Sequence, residues 1–346
     1  MIGTALVATI ASGAIDILAI GGKGVLLFVV SAAALAILAA LVGEGTDQLG
    51  SHLGPGATGV LQSALGNLPE LFVAVFALRE GLLGVVQAAL IGSILGNSLL
   101  VLGLAILVGG LRHGTQKFAA EVPRMVATLT LLAVAALAVP TLAANLHTPA
   151  TSYVEQLSIA CAIVVLVVFI ASIPVALKGG PITIPNQASG ESTVWPLWLA
   201  VTVLVAAGIG AGLVSEWFVS ALEPAMATLH LSQAFTGLVV VALAGNAVEH
   251  SVGVQLAARN KMDFAISVIL NSSLQVALAL IPFLVLLSLF LGGASLTLVL
   301  PPLMVAAVGL AVILSTVITY DGESTWLEGA ALIGLYCVIA VSFWWG

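Results

Sequence analysis

Apolar residues run along this chain in stretches of about twenty, separated by short clusters of Gly, Pro and charge. Stretches such as LLFVVSAAALAILAALV lack the alternation of polar and apolar positions that a membrane-spanning strand shows. About 20 apolar residues in a helix cross a bilayer, so the pattern predicts an all-α polytopic membrane protein. Eleven helices are expected, near 2–20, 24–43, 57–78, 83–109, 122–143, 153–177, 195–218, 233–257, 263–290, 296–319 and 325–345. Ser12 and Asp16 interrupt the first stretch, whose opening MIGTALVATI has no Lys or Arg to lead a secretory signal, so it is expected to be retained as a helix. The six tryptophans fall near the predicted ends, where an interfacial belt would place them.

Composition sharpens this picture. Only 8 Lys or Arg and 15 Asp or Glu serve 346 residues, and 7% charged is far below the roughly 25% of a soluble domain. A net charge of -7 without a basic stripe excludes a nucleic-acid binder. Cys161 and Cys337 both lie in apolar stretches, which excludes a disulfide scaffold and a Cys-based zinc cluster. Arg112, Lys117, Arg124, Lys178, Arg259 and Lys261 gather on one predicted side, against Lys23 and Arg79 on the other. The positive side is cytoplasmic, which places the N-terminus inside and the C-terminus outside a prokaryotic plasma membrane.

An internal repeat organises the chain. GNLPE at 66–70 recurs as GNAVE at 245–249, and the same offset of 179 pairs Ser93 with Ser272 and Glu44 with Glu223. The two motifs lie five predicted spans apart, an odd number, so the halves run in opposite directions. The expected organisation is an extra N-terminal helix (1–22), a five-helix repeat (23–178), a Pro/Ser-rich linker (179–194) and a second five-helix repeat (195–346). Inverted repeats with Gly- or Pro-interrupted helices are the sign of a secondary transporter whose site lies near mid-membrane.

Glu70 and Glu249 are the residues such a site would use. An ionised carboxylate at mid-membrane costs about 2.5–3.5 kcal/mol, so a matched pair of them requires a compensating reason, and by charge count two such residues make a divalent-cation site. Their neighbours are oxygen donors suited to a hard divalent cation. Asn67 and Asn246 sit three residues before each Glu, Ser93 and Asn97 share one face of the fourth helix, and Ser272 and Gln275 share one face of the ninth. Pro69, which has no N–H, is expected to free the Leu65 carbonyl while Gly66 relieves the strain. His250 follows Glu249 and titrates near neutrality, as a proton carrier would. His52, His113, His147 and His230 are expected to be solvated at span ends, and so are the acidic pairs Glu44/Asp47, Glu216/Glu223 and Asp321/Glu323.

The segments 66–103 and 245–278, with EGTDQL at 44–49 and SEWFV at 215–219, resemble the CAX-type cation/proton exchangers of the calcium/cation antiporter superfamily. The resemblance implies that Glu70 and Glu249 bind calcium, that His250 takes part in transport, and that the layout is one helix plus five plus five. Two departures lie beside the site and bear on cation selectivity: Pro69 stands where the family often has Ala, Thr or Val, and Asn271 stands in place of a Gly. The expected function is exchange of cytoplasmic Ca²⁺ for H⁺ by alternating access, with Ca²⁺ as substrate, no cofactor and no enzymatic chemistry. A Na⁺-coupled exchanger is the nearest alternative. A cation channel ranks below it, and an intramembrane hydrolase is weakest because no zinc triad or activated nucleophile is visible. The lipid bilayer is the one expected partner besides Ca²⁺ and H⁺, with a homo-oligomer left open.

Overall fold

The computed structural model describes residues 2–17, 23–53, 61, 65–177, 194–293 and 295–345. They form helices α1 (Ile2–Ile17), α2 (Lys23–Gly50), α3 (Leu68–Arg79), α4 (Leu83–His113), α5 (Glu121–Asn145), α6 (Val154–Leu177), α7 (Leu197–Leu229), α8 (Gln233–Gly245), α9 (Ala247–Ala258), α10 (Met262–Ser288), α11 (Pro302–Thr319) and α12 (Trp326–Ser342). Among the described residues, α2, α4, α5, α6, α7, α10 and α11 are each long and apolar enough to cross a membrane. The pair α8 and α9, bent by 65°, makes an eighth such unit, while α1 and α12 are apolar but shorter. The linker expected at 179–194 lies outside the described residues except for Val194, and so does most of the predicted span 57–78 before α3.

Burial separates the helices by role. In α4 and α10 the spanning windows are 78% and 83% buried, against 17% for the window that includes α6. The two central helices are therefore surrounded by protein, and α6 presents its side chains outward. Each central helix widens locally to a π-helical turn, at Gly96–Val101 and at Val276–Leu280, a feature common at functional sites. Around them α2 packs along α7, and α8 crosses α4 at two glycines. A Cβ at Gly92 would collide with the Leu238 carbonyl, and one at Gly237 with the Val85 carbonyl, so this crossing requires bare backbone on both helices.

Three expectations change. The span predicted at 296–319 begins as extended chain and becomes helical only at Pro302, because Pro301 and Pro302 disfavour helix in the residues before them. The extended segment is buried at Leu296, Leu298 and Leu300, so side chains must satisfy its backbone. The Ser288, Ser158 and Thr141 hydroxyls accept from the amides of Leu296, Leu298 and Leu300 at 2.9, 3.0 and 2.9 Å. Thr141 also donates to the Leu298 carbonyl at 2.9 Å, and the Gln87 amide donates to the Thr297 and Val299 carbonyls, each at 3.1 Å.

Second, the loop histidines are not merely solvated: His52 bonds the Trp195 carbonyl at 2.9 Å, and His113 the Ala258 carbonyl at 3.0 Å. His147 and His230 adopt left-handed backbone (φ 51° and 55°) just beyond α5 and α7. Third, α2 and α7 continue past their predicted ends, so Glu44, Asp47, Glu216 and Glu223 stand on helical turns. Trp217 then falls within α7 rather than in an end belt, and its ring lies where a Cβ on Gly13 of α1 would be, 2.8 Å away.

Besides the His52–Trp195 contact, two further sets of contacts involve the connecting segments. One joins residues 113–124 to 258–263 and 320–324. It includes the antiparallel pairing of β1 (Gln116–Lys117) with β2 (Glu323–Ser324), the Lys117–Glu323 ion pair at 2.8 Å, and Asp263 accepting from the Ala119 amide at 2.6 Å. Arg124 bonds the Tyr320 carbonyl there and lies 4.4 Å from the centre of its ring. The other set joins the extended segment to Gln87, Thr141 and Ser158, and Ser232 to Phe343.

Candidate ion-binding site

Both Gly-Asn-x-x-Glu motifs leave helical backbone at the Asn, and α8 ends there in the second. Asn67 has φ -94° and ψ 19°, Asn246 has φ -100° and ψ 11°, and a new helix starts at the next residue in each case. Pro69 therefore lies in the first turn of α3, where its missing N–H is one that a helix start leaves unpaired anyway. It begins a helix rather than interrupting one. Glu70 and Glu249 fall in the first turns of α3 and α9, where the positive ends of the helix dipoles favour a carboxylate.

The two halves meet side chain to side chain. Asn246 Nδ2 donates to Ser93 Oγ at 2.9 Å and to the Ala242 carbonyl at 3.0 Å. Asn97 Nδ2 donates to Ser272 Oγ at 2.9 Å, and Ser272 in turn donates to Glu249 Oε2. Asn67 Nδ2 reaches Gln275 Oε1 at 3.4 Å. Glu70 rests on Gly245 of the other motif, where an added Cβ would stand 2.9 Å from Glu70 Cγ and 3.1 Å from Oε1. Apart from His250, the nine candidates meet at this junction of α3, α4, α9 and α10.

The pairing leaves a consistent remainder. The amide N–H groups of Asn67, Asn97 and Asn246 are bonded to protein, while Asn67 Oδ1, Asn97 Oδ1, Asn246 Oδ1 and Glu70 Oε2 are buried without a protein partner. Buried polar groups are rarely left this way. Four unpartnered acceptors beside a second carboxylate form an all-oxygen donor set, which suits a hard cation with its 6–8 oxygen ligands. Glu70 and Ser93 also line a cavity of about 30 Å³ whose other walls are aliphatic or small side chains of α3, α4, α8 and α10. Among the described residues no three His, Cys, Asp or Glu side chains converge, so amides and hydroxyls rather than further acids complete the donor set.

Two predicted residues stand apart. His250 is half-buried with its Nε2 unpartnered and bonds none of the oxygen donors. Asn271 turns its Nδ2 back to the Ser267 carbonyl at 2.8 Å, so its donors are spent within α10. The sequence reading missed Gly245 as the seat of Glu70, although the glycine belongs to the motif itself.

The family model described as "Sodium/calcium exchanger protein" matches this chain twice, over residues 23–178 and 199–345. A Ca(2+)/H(+) antiporter of Synechocystis sp. is 36% identical over 335 residues, covering 91% of this chain and 90% of that protein. The Ca(2+)/H(+) antiporter ChaA of Bacillus subtilis is 35% identical over 323 residues, covering 92% and 91%. Among solved structures, that of native YfkE superposes with a TM-score of 0.84 at 31% identity and covers 98% of both chains.

Proposed function

The chain belongs to the sodium/calcium exchanger family, and from that premise we propose that it exchanges Ca²⁺ for H⁺ at the junction of its two Gly-Asn-x-x-Glu motifs. The observation that carries the reading is the set of buried, unpartnered oxygens of Asn67, Glu70, Asn97 and Asn246, on residues whose three amides bond across the two halves. The relatives named Ca(2+)/H(+) antiporters support the choice of ions.

With both glutamates ionised, Ca²⁺ neutralises the pair; with both protonated, the empty site is neutral as well. Only these two states cross the low-dielectric barrier cheaply, because an empty doubly charged site does not. That restriction couples two protons to each Ca²⁺, and a further proton carried on His250 would make the cycle electrogenic. Alternating access across an inverted pair of five-helix repeats is the structural route. Its support is the twofold match of one family model and the recurrence of both bounds of α3, Leu68 and Arg79, 179 residues on at Ala247 and Ala258. Eleven spans also put each set of connecting segments on one side of the membrane, with the Lys117–Glu323 side cytoplasmic and Ca²⁺ leaving the cell.

In everted vesicles, Glu70→Gln or Glu249→Gln should abolish Ca²⁺-dependent proton release, and substantial remaining exchange would defeat the assignment. A panel of cations in the same assay ranks selectivity. A Na⁺-coupled reading predicts no Ca²⁺ uptake under a pH gradient in Na⁺-free vesicles; H⁺ coupling predicts that uptake persists.

A further inference from the structure

Three elements agree on where the membrane surface lies at the Lys117–Glu323 end of the molecule. At the end of α4 the exposed Leu111 is followed by the exposed Arg112, just past α11 the exposed Tyr320 is followed by Asp321, and at the start of α12 the exposed Trp326 and Leu327 are preceded by Thr325. Apolar and aromatic side chains exposed at this level of a membrane bundle face lipid, and Trp and Tyr mark the depth of the headgroups. Phospholipid therefore covers this surface, and the charges set beside it decide which headgroup fits.

The charges of the adjoining segments are unevenly spent. Asp263 accepts from the Ala119 amide at 2.6 Å, Asp321 from the Glu323 amide at 3.1 Å and Glu328 from the Thr325 amide at 2.6 Å, while Glu323 pairs with Lys117 at 2.8 Å. Arg124 is held on the Tyr320 carbonyl and ring. Among the described residues, nothing in the protein bonds the side chains of Arg112, Arg259 and Lys261, and all three are exposed. The carboxylate left over in these segments is Glu121, in the first turn of α5.

The three cations come from two helix ends that lie side by side. His113 at the end of α4 bonds the Ala258 carbonyl at the end of α9 at 3.0 Å, and Gln116 bonds Asn260 at 3.2 Å, which sets Arg112 beside the turn that carries Arg259 and Lys261. Residues 109–113 and 255–261 contain no Asp or Glu. Trp326 reaches the same place, since its backbone nitrogen lies 2.7 Å from where a Cβ on Gly110 would stand. A guanidinium grips a phosphate through two N–H groups at once, and two of the three cations are Arg. A zwitterionic headgroup would bring a cation of its own into the cluster.

We propose that the joined ends of α4 and α9 bind the headgroup of an anionic phospholipid, with Arg112, Arg259 and Lys261 on the phosphate and Leu111 and Trp326 against the acyl chains. Arg112 belongs to the first half of the chain and the other two cations to the second, so the lipid bridges the halves. The site does not depend on which ions are exchanged.

Native mass spectrometry of the purified, delipidated protein in a non-ionic detergent counts bound lipid. Phosphatidylglycerol should bind roughly tenfold more tightly, or better, than phosphatidylcholine with the same acyl chains, because each basic residue near an anionic surface contributes about fivefold. The Arg112→Gln, Arg259→Gln double variant should bring the two lipids within about threefold of each other, whereas Arg112→Lys, Arg259→Lys should keep most of the preference. Lys23→Gln, Arg79→Gln removes as much charge at the other predicted end and should leave the preference intact. Glycerol 1-phosphate, a headgroup without chains, should not displace the lipid at millimolar concentration. Equal binding of the two lipids by wild type overturns the proposal whatever the variants do, and displacement by glycerol 1-phosphate would make this a site for a soluble phosphate instead. A preference that survives Arg112→Gln, Arg259→Gln, or that falls as far in Lys23→Gln, Arg79→Gln, overturns it as well.

Discussion

At the scale of single residues, Ser272 has the most to lose. It donates to Glu249 and accepts from Asn97, so it orients a carboxylate of one half and an amide of the other at once. A hydrogen bond to a charged group contributes about 1.5–3 kcal/mol, and 1.4 kcal/mol is tenfold in affinity. Ser272→Ala should therefore raise the KM for Ca²⁺ roughly tenfold in the vesicle assay, while the folded protein remains intact; an unchanged KM would show that Glu249 is held by something else. The identities of these residues were legible from the spacing of the repeat. Their partners were not, because Asn97 meets Ser272, and Asn246 meets Ser93, only after four helices have packed. The seat of Glu70 on Gly245 escaped for the same reason: a missing Cβ shows its use only when the other helix arrives.

At the scale of elements, hydropathy located most helices but not their interruptions. LTLVL at 296–300 is as apolar as any span, and its alternation of buried leucines was hidden inside a run long enough to pass for helix. The Pro301–Pro302 pair was the available signal. What replaces helical hydrogen bonding there is a set of side chains, of which Thr141 serves two backbone groups. Thr141→Val keeps the shape and removes both bonds, leaving the Leu298 carbonyl and Leu300 amide unpaired at about 1–3 kcal/mol each. The variant should melt at a clearly lower temperature in detergent, and Thr141→Ser should melt near wild type. A Thr141→Val protein as stable as wild type would mean that these bonds are dispensable. The π-helical turns in α4 and α10 had no signature in composition, since they change backbone pitch without changing the apolar character of the helix.

At the scale of the whole molecule, the connecting segments provide a test of orientation. In a chain whose Cys161 and Cys337 are replaced by Ala, Glu323→Cys reports one set of contacts and the 84%-exposed Phe290, changed to Cys, reports the other end. A membrane-impermeant maleimide should label Glu323→Cys only in everted vesicles and Phe290→Cys only in right-side-out ones. The reverse pattern would invert the direction of transport, and labelling of both from one side would break the count of eleven spans. Replacing Glu323 removes an ion pair whose side chains are 76% and 49% exposed, and such surface pairs contribute little, so the reporter should not disturb the fold. The sequence predicts the sign of each side from the distribution of Lys and Arg, and the reversal of the halves from an odd number of crossings, and the labelling pattern tests both.

The extended segment before α11 also dictates an order of assembly. Its carbonyls and amides cannot face hydrocarbon unpaired, and the groups that satisfy them, on Gln87, Thr141 and Ser158, leave the ribosome well over a hundred residues earlier. Those helices must already be threaded and grouped in the bilayer when residues 295–301 emerge. The first half of the chain is thus the template on which the second half is completed, and an early truncation product can wait in the membrane in a way that a late fragment cannot.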